Sequence, residues 1–168
     1  MKILIKILIS VALVAGLATL ATADNVATST VTITFLEIAE LETTGTPGTL
    51  TITAPTAGAL PAVQTEATTT MAWTSNVDSG KTRKITGSLA SLFSGITLSA
   101  TVTAGSGKGT SAGEVPFTAA ATAYDFVTAI GNCNTPSETI TFKATVTSMV
   151  APYTDTAKVV TWTLTDDV

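Results

Sequence analysis

Apolar and hydroxyl-bearing side chains change places residue by residue in five stretches of this chain. They are Thr-Val-Thr-Ile-Thr-Phe at 30–35, Leu-Thr-Ile-Thr at 50–53, Ile-Thr-Leu-Ser-Ala-Thr-Val at 96–102, Ile-Thr-Phe-Lys-Ala-Thr-Val at 140–146 and Val-Thr-Trp-Thr-Leu-Thr at 160–165. A period of two belongs to a strand with one face on a core and the other on solvent. Carried through the intervening runs, the pattern predicts strands at 28–35, 48–54, 68–75, 82–88, 95–103, 114–121, 138–147 and 157–165. Turn residues separate them: Gly-Thr-Pro-Gly at 45–48, the stretch from Pro55 to Pro61, Asp-Ser-Gly at 78–80, the glycines between 105 and 113, and the Asn/Pro cluster at 132–136. Many short strands with such punctuation predict an all-β, two-sheet sandwich. Val31, Ile33, Phe35, Leu50, Ile52, Met71, Trp73, Ile85, Ile140, Phe142, Trp162 and Leu164 fall in the inward phase.

Two stretches depart from that period. Thr122-Ala-Tyr-Asp125 has the form of a capping box, with Phe126, Val127 and Ile130 at i, i+1 and i+4 and Gly131 as a stop. This predicts one short helix over 123–130 closing an end of the sandwich. Ser91-Leu-Phe-Ser-Gly95 predicts a single helical turn.

The chain opens differently. Lys2 and Lys6 precede an apolar run from Ile7 to Leu20, and Ala21-Thr-Ala23 supplies small residues before Asp24. Residues 1–23 therefore read as a signal peptide, leaving a first strand at 24–35 and a sandwich domain at 36–168. The competing reading keeps the apolar run as an anchor, at the short end of what crosses a bilayer and without a basic flank after it. Such a retained helix would suit the core of a type IV-like pilus.

Charge narrows the partners. The chain has 8 Lys+Arg against 12 Asp+Glu. Without Lys2 and Lys6 the balance is 6 against 12, a net charge of −6. That argues against nucleic acid and anionic membrane surfaces, both of which call for basic patches. Threonine, about a quarter of residues 24–168, solubilises the outer faces in place of charge, and its β-branch suits a strand. No asparagine stands in an Asn-x-Ser/Thr sequon. Cys133 is alone, so no disulfide forms within the chain.

Candidate chemistry is thin. With no histidine, Ser-His-Asp and Cys-His systems and the usual zinc ligand sets are out of reach. Gly105-Ser-Gly-Lys-Gly-Thr110 superficially resembles a phosphate loop, but glycine follows Lys108 where Ser or Thr is needed. It reads as a hairpin loop. Glu37, Glu40 and Glu42, with Asp166 and Asp167, are the densest acids; Asp78 sits in a turn. None has the spacing of a glycosidase pair or a calcium loop, so they read as solvated charges. The residues point to no enzyme and no cofactor. A carbohydrate-binding sandwich would present exposed aromatics, whereas Trp73 and Trp162 are in the inward phase.

Residues 24–35 hold the sharpest signal. Ala27, Ser29, Val31, Ile33 and Phe35 share one face, and Thr28, Thr30, Thr32 and Thr34 the other. Cleavage before Asp24 would free this segment as an amino-terminal tail, able to add itself to another chain's sheet. Periodicity leaves open whether it does so or pairs within its own sheet. The Ala-Thr-Ser-Thr-Val-Thr-Ile-Thr-Phe-Leu-Glu-Ile segment at 27–38, Gly-Thr-Leu-Thr-Ile-Thr at 48–53, Gly-Thr-Ser-Ala-Gly at 109–113 and the Thr-rich closing strand together resemble the TasA-like group of prokaryotic surface-filament subunits, including archaeal bundling pili. That resemblance covers most of residues 24–168 as a pattern without an invariant motif. It implies a jelly-roll-like sandwich completed by the first strand of the next subunit, with Ala27, Ser29, Val31, Ile33 and Phe35 as the donated face. It further implies a head-to-tail homopolymer at the extracellular cell surface, in contact with other surface components and free of the membrane once the signal is removed. The alternative is a monomeric secreted or wall-associated adhesion or sugar-binding sandwich.

Overall fold

In a computed structural model of the chain, residues 29–53, 55–151 and 157–167 are described. The chain divides into two units, Met1–Phe35 and Leu36–Val168. The second unit is all-β, with two antiparallel sheets and no helix among the described residues.

Its strands are β1 (Ile38–Thr44), β2 (Gln64–Asn76), β3 (Thr82–Leu89), β4 (Ile96–Val102), β5 (Thr110–Ser111), β6 (Val115–Pro116), β7 (Tyr124–Ile130), β8 (Cys133–Val146) and β9 (Val160–Asp167). One sheet runs β1-β2-β8-β4-β6 and the other β5-β7-β3-β9. The chain changes sheet between β2 and β3, β3 and β4, β4 and β5, β5 and β6, β6 and β7, β7 and β8, and again before β9. Neighbours within a sheet are therefore mostly remote in sequence. The loop at 105–109 accordingly joins two sheets and is not the hairpin that its glycines suggest.

One apolar layer holds the sheets together. Met71, Trp73, Val102, Ile140 and Phe142 from the first sheet meet Ile85, Leu89, Phe126, Val127 and Ile130 from the second. Strand β3 alternates cleanly, with Arg83, Ile85, Gly87 and Leu89 buried and the residues between them half-buried. Gly87 is needed where it stands. A Cβ there would lie 2.6 Å from Trp162 Cζ3 and 2.8 Å from Phe126 Cε2. The missing side chain lets Trp162 pack edge-on against Phe126, with centroids 4.8 Å apart and planes at 76°.

Several expectations are corrected. Residues 124–130 form β7 instead of a helix. Its ladder with β3 slips twice, so β7 spends an extra residue between Asp125 and Val127 and another between Val127 and Ile130, where Ala129 has φ 54°. A bulge turns two successive side chains to one side. Phe126 and Val127 are both buried for that reason, and the i, i+1, i+4 spacing imitates a helical stripe. Residues 91–95 form a turn without helix. The 114–121 strand shrinks to Val115–Pro116. Residues 29–35 and 48–53 enter no ladder, although Leu50 packs against the core. Strand β1 was hidden by its irregular Ile-Ala-Glu-Leu-Glu-Thr-Thr composition, and β5 and β7 were likewise unforeseen.

Pro136 stands inside the long strand β8 at a slip in the ladder: Met71 pairs with Glu138 but Trp73 with Thr135, so residues 136 and 137 together oppose Ala72 and β8 carries one extra residue. A residue without an N–H fits a bulge of this kind.

Candidate subunit interface

Among the described residues, the β1/β9 side of the sandwich leaves inward positions exposed. Ala39, Leu41 and Thr43 pair with Ser75, Trp73 and Met71, which are buried and face inward. The three β1 residues share that inward face, yet Ala39 and Thr43 are exposed and only Leu41 is half-buried. Across the core, β9 pairs with β3 along its full length and has no partner on its other edge among the described residues. Its inward side chains Val160, Trp162 and Leu164 are half-buried, and Thr161, Thr163 and Thr165 are exposed. The first sheet thus has five strands and the second four. An open edge lined on one face by half-buried apolar side chains is a template for another strand.

Arg83 closes one end of this side. It points inward from β3 and is only 5 % exposed. Its guanidinium is satisfied by the Glu37 carboxylate, the carbonyls of Ile38 and Asn76, the Ser75 hydroxyl at 3.3 Å and Asp166 at 3.3 Å. A buried cation needs such a full set of acceptors. The result ties β3 to the start of β1, the end of β2 and the end of β9. Asn76 completes the anchor: its amide donates to the Leu36 carbonyl at 2.8 Å, and its side-chain oxygen accepts from the Ile38 N–H. The chain immediately after residue 35 is therefore pinned by charge and amide bonds. Neither Arg83 nor Asn76 was singled out from the sequence. The signal was present, since Arg83 stands in the same phase as Ile85 and Leu89.

The proposed donor face lies in the other unit. Val31 is 79 % exposed, Ile33 87 % and Phe35 78 %, and Ser29 is exposed too. Ala27 lies outside the described residues, as does the expected signal peptide at 1–23.

The remaining candidates are accounted for by local bonds. Glu37 and Asp166 serve Arg83, while Asp167 and Asp125 lie within ion-pair range of Lys84. Lys108 donates to the Asn134 carbonyl, and Glu138 accepts from Gly105 N and Thr103 Oγ1, so the 105–110 loop is held to the start of β8. Glu40 and Glu42 flank a shallow depression of about 150 Å³ with Ala72 and Thr74, on the outer face of β1 and β2. No metal-binding cluster of His, Cys, Asp and Glu occurs among the described residues. Cys133 is a half-buried free thiol at the start of β8. Trp73 is 1 % exposed, and Trp162 is half-buried with an edge-on contact to Phe126. The Tyr124 hydroxyl accepts from Ala119 N at 2.9 Å and Thr118 N at 3.3 Å and shares a bond with Thr118 Oγ1. These bonds, the Thr118 hydroxyl first, hold its pKa below the usual phenol value. They staple the loop after Phe117.

Compared with protein-family models, with curated proteins and with solved structures, the chain finds no match.

Proposed function

We propose that this chain is a secreted structural subunit that polymerises into an extracellular, cell-surface filament by donating its first strand to the next copy. The observation that carries the reading is the exposure of Val31, Ile33 and Phe35 at alternate positions of a segment that enters no ladder among the described residues. Leaving three such side chains in water forfeits roughly 1.5–3 kcal/mol each relative to burial. A partner that buries them and pairs the backbone would recover this, in the manner of strand addition. A head-to-tail contact of that kind propagates into an open filament.

Two further features support it. The order β2-β8-β4-β6 against β3-β7-β5 interleaves the strands as in a jelly roll, the architecture that the resemblance to TasA-like and bundling-pilus subunits implies. The anchoring of residues 36–38 by Arg83 and Asn76 gives a donated strand a fixed root. Export rests on the Lys-flanked apolar run before Ala21-Thr-Ala23. The role is structural rather than catalytic and requires no cofactor.

The test is electron microscopy and light scattering of the purified protein beside Ile33→Asp and Phe35→Asp. Filaments are expected from the natural chain, and folded monomers from both variants. Amino-terminal sequencing of native filaments should begin at Asp24. Unfolding of the variants at dilutions where the natural chain is itself monomeric would place the strand within its own sheet and defeat the proposal.

A further inference from the structure

We infer that the acceptor for residues 29–35 of a second copy is the free edge of β9, facing the uncovered inward face of β1, with the incoming strand antiparallel to β9. The inference rests on the strand-donation reading above and adds where, and in which direction, the strand binds.

The fit is one of pattern, length and position in the sheet. Strand β9 offers Val160, Trp162 and Leu164 inward and Thr161, Thr163 and Thr165 outward. The segment at 29–35 offers Val31, Ile33 and Phe35 on one face and Thr30, Thr32 and Thr34 on the other. Seven residues meet a strand of eight. Placed on this edge, the apolar face continues the core under Ala39, Leu41 and Thr43, where the second sheet is one strand short. The threonine face continues the outer surface of that sheet. The two other outermost strands, β5 and β6, are two residues long and cannot pair a seven-residue segment. Strand β1 is long enough, but its inward face points at the vacancy beside β9, so a strand there would extend the longer sheet and leave that vacancy open.

Direction follows from the ends of the sandwich. Residues 36–38 are rooted at the end where β9 finishes, because Arg83 binds both the Ile38 carbonyl and Asp166. Strand β9 starts at the opposite end, where Val160 pairs with Leu89. In a head-to-tail stack the root of one copy meets the starting end of β9 in the next. Phe35 then enters beside Val160, Ile33 beside Trp162 and Val31 beside Leu164. That is antiparallel, as every ladder within this sheet is. The starting end also carries the exposed side chains Leu92, Met149, Val150 and Val159, an apolar seat for the exposed Leu36 of the incoming copy.

The experiment is disulfide mapping between full-length chains, all carrying Cys133→Ser so that no other thiol is present. Thr32→Cys chains are mixed with an equal amount of Thr163→Cys chains and oxidised, so any disulfide linking the two kinds is intermolecular. Opposed residues of an antiparallel pair have Cα atoms about 4.5–5.5 Å apart, within the span of a disulfide. A reductant-sensitive mixed pair is expected, and none when Thr163→Cys is replaced by Thr110→Cys on the far edge of the same sheet. Thr30→Cys should join Thr165→Cys and not Thr161→Cys; the reverse would overturn the antiparallel placement. Filaments by electron microscopy without the Thr32–Thr163 link would overturn the β9 edge and leave strand donation standing. Folded chains giving neither filaments nor the link would overturn both. A chain carrying both Thr32→Cys and Thr163→Cys that closes only on itself would also overturn both, since the segment would then be pairing within its own subunit.

Discussion

Residues 29–35 and strand β9 share one design and have opposite fates. Each sets three large apolar side chains between threonines. In β9 the apolar face is half-buried, because β3 pairs with its backbone from Leu89 to Thr82 and Gly87 makes room for Trp162. In 29–35 the same kind of face is almost wholly exposed and the backbone enters no ladder. What separates them is a partner. Alternation makes a strand's faces unequal, but the free energy is realised only where another backbone and another apolar layer meet them. The lesson extends to the fold itself, since among the described residues β9 is paired on one edge and unpaired on the other.

The sharpest break of this comparison is a matched pair of substitutions. Trp162→Ala should lower the stability of the monomer by about 3 kcal/mol, because it removes a large aromatic packed on Phe126. Phe35→Ala should leave the monomer's thermal midpoint unchanged and act only on polymerisation. Thermal unfolding of dilute protein checks both; a comparable loss from Phe35→Ala would place that side chain in its own core. Next in size is Arg83→Met, which removes the guanidinium joining the root of 29–35 to the end of β9. Its charged partners Glu37 and Asp166 remain solvated, so the loss should be about 2–3 kcal/mol, read by denaturant unfolding.

Gly87→Ala sharpens the comparison from the β9 side alone. The added methyl must displace Trp162 or Phe126, and overpacking of this kind costs about 1–3 kcal/mol. A shift in tryptophan fluorescence should accompany it, while the 29–35 segment is untouched. The smallest effect belongs to a control remote from both. Glu114 accepts from Lys143 and Ser99, which hold its pKa below the ordinary carboxyl value of 4.5. A carboxyl depressed on folding stabilises the folded state above its unfolded pKa, and this is lost as pH falls through the folded value. Glu114→Gln should therefore lower stability slightly near neutrality and flatten the profile below pH 4.5, where its difference from the natural chain disappears. The pair is exposed, so the effect is small.

Much of the strand content was legible. The runs at 68–75, 82–88, 95–103, 138–147 and 157–165 all lie on observed strands, because regular alternation survives wherever a ladder is unbroken. Reading failed where the ladder is irregular or the strand lacks contrast. The β7 bulges place Phe126 and Val127 side by side and simulate a helix. Strand β1 mixes glutamates with a single inward leucine, so its period is invisible. Leu-Thr-Ile-Thr at 50–53 alternates without entering a ladder, and 29–35 does the same. In the candidate site, the apolar face of 29–35 was readable from its period, but Arg83 was passed over because a charge in the inward phase looks like a solvated residue until its acceptors are seen.

By itself the sequence determined which faces are apolar, that turns interrupt them often, and that the chain carries no histidine and one cysteine. These are properties of residues and their immediate neighbours. Only the tertiary structure decided which strands pair, that β9 has no partner on one edge among the described residues, and that Arg83 and Asn76 fix the chain at 36–38. Each of these joins segments about forty to more than a hundred residues apart, as Leu36 with Asn76 and Ile38 with Asp166 through Arg83. A period of two states that a face wants burial, and long-range backbone pairing selects what buries it.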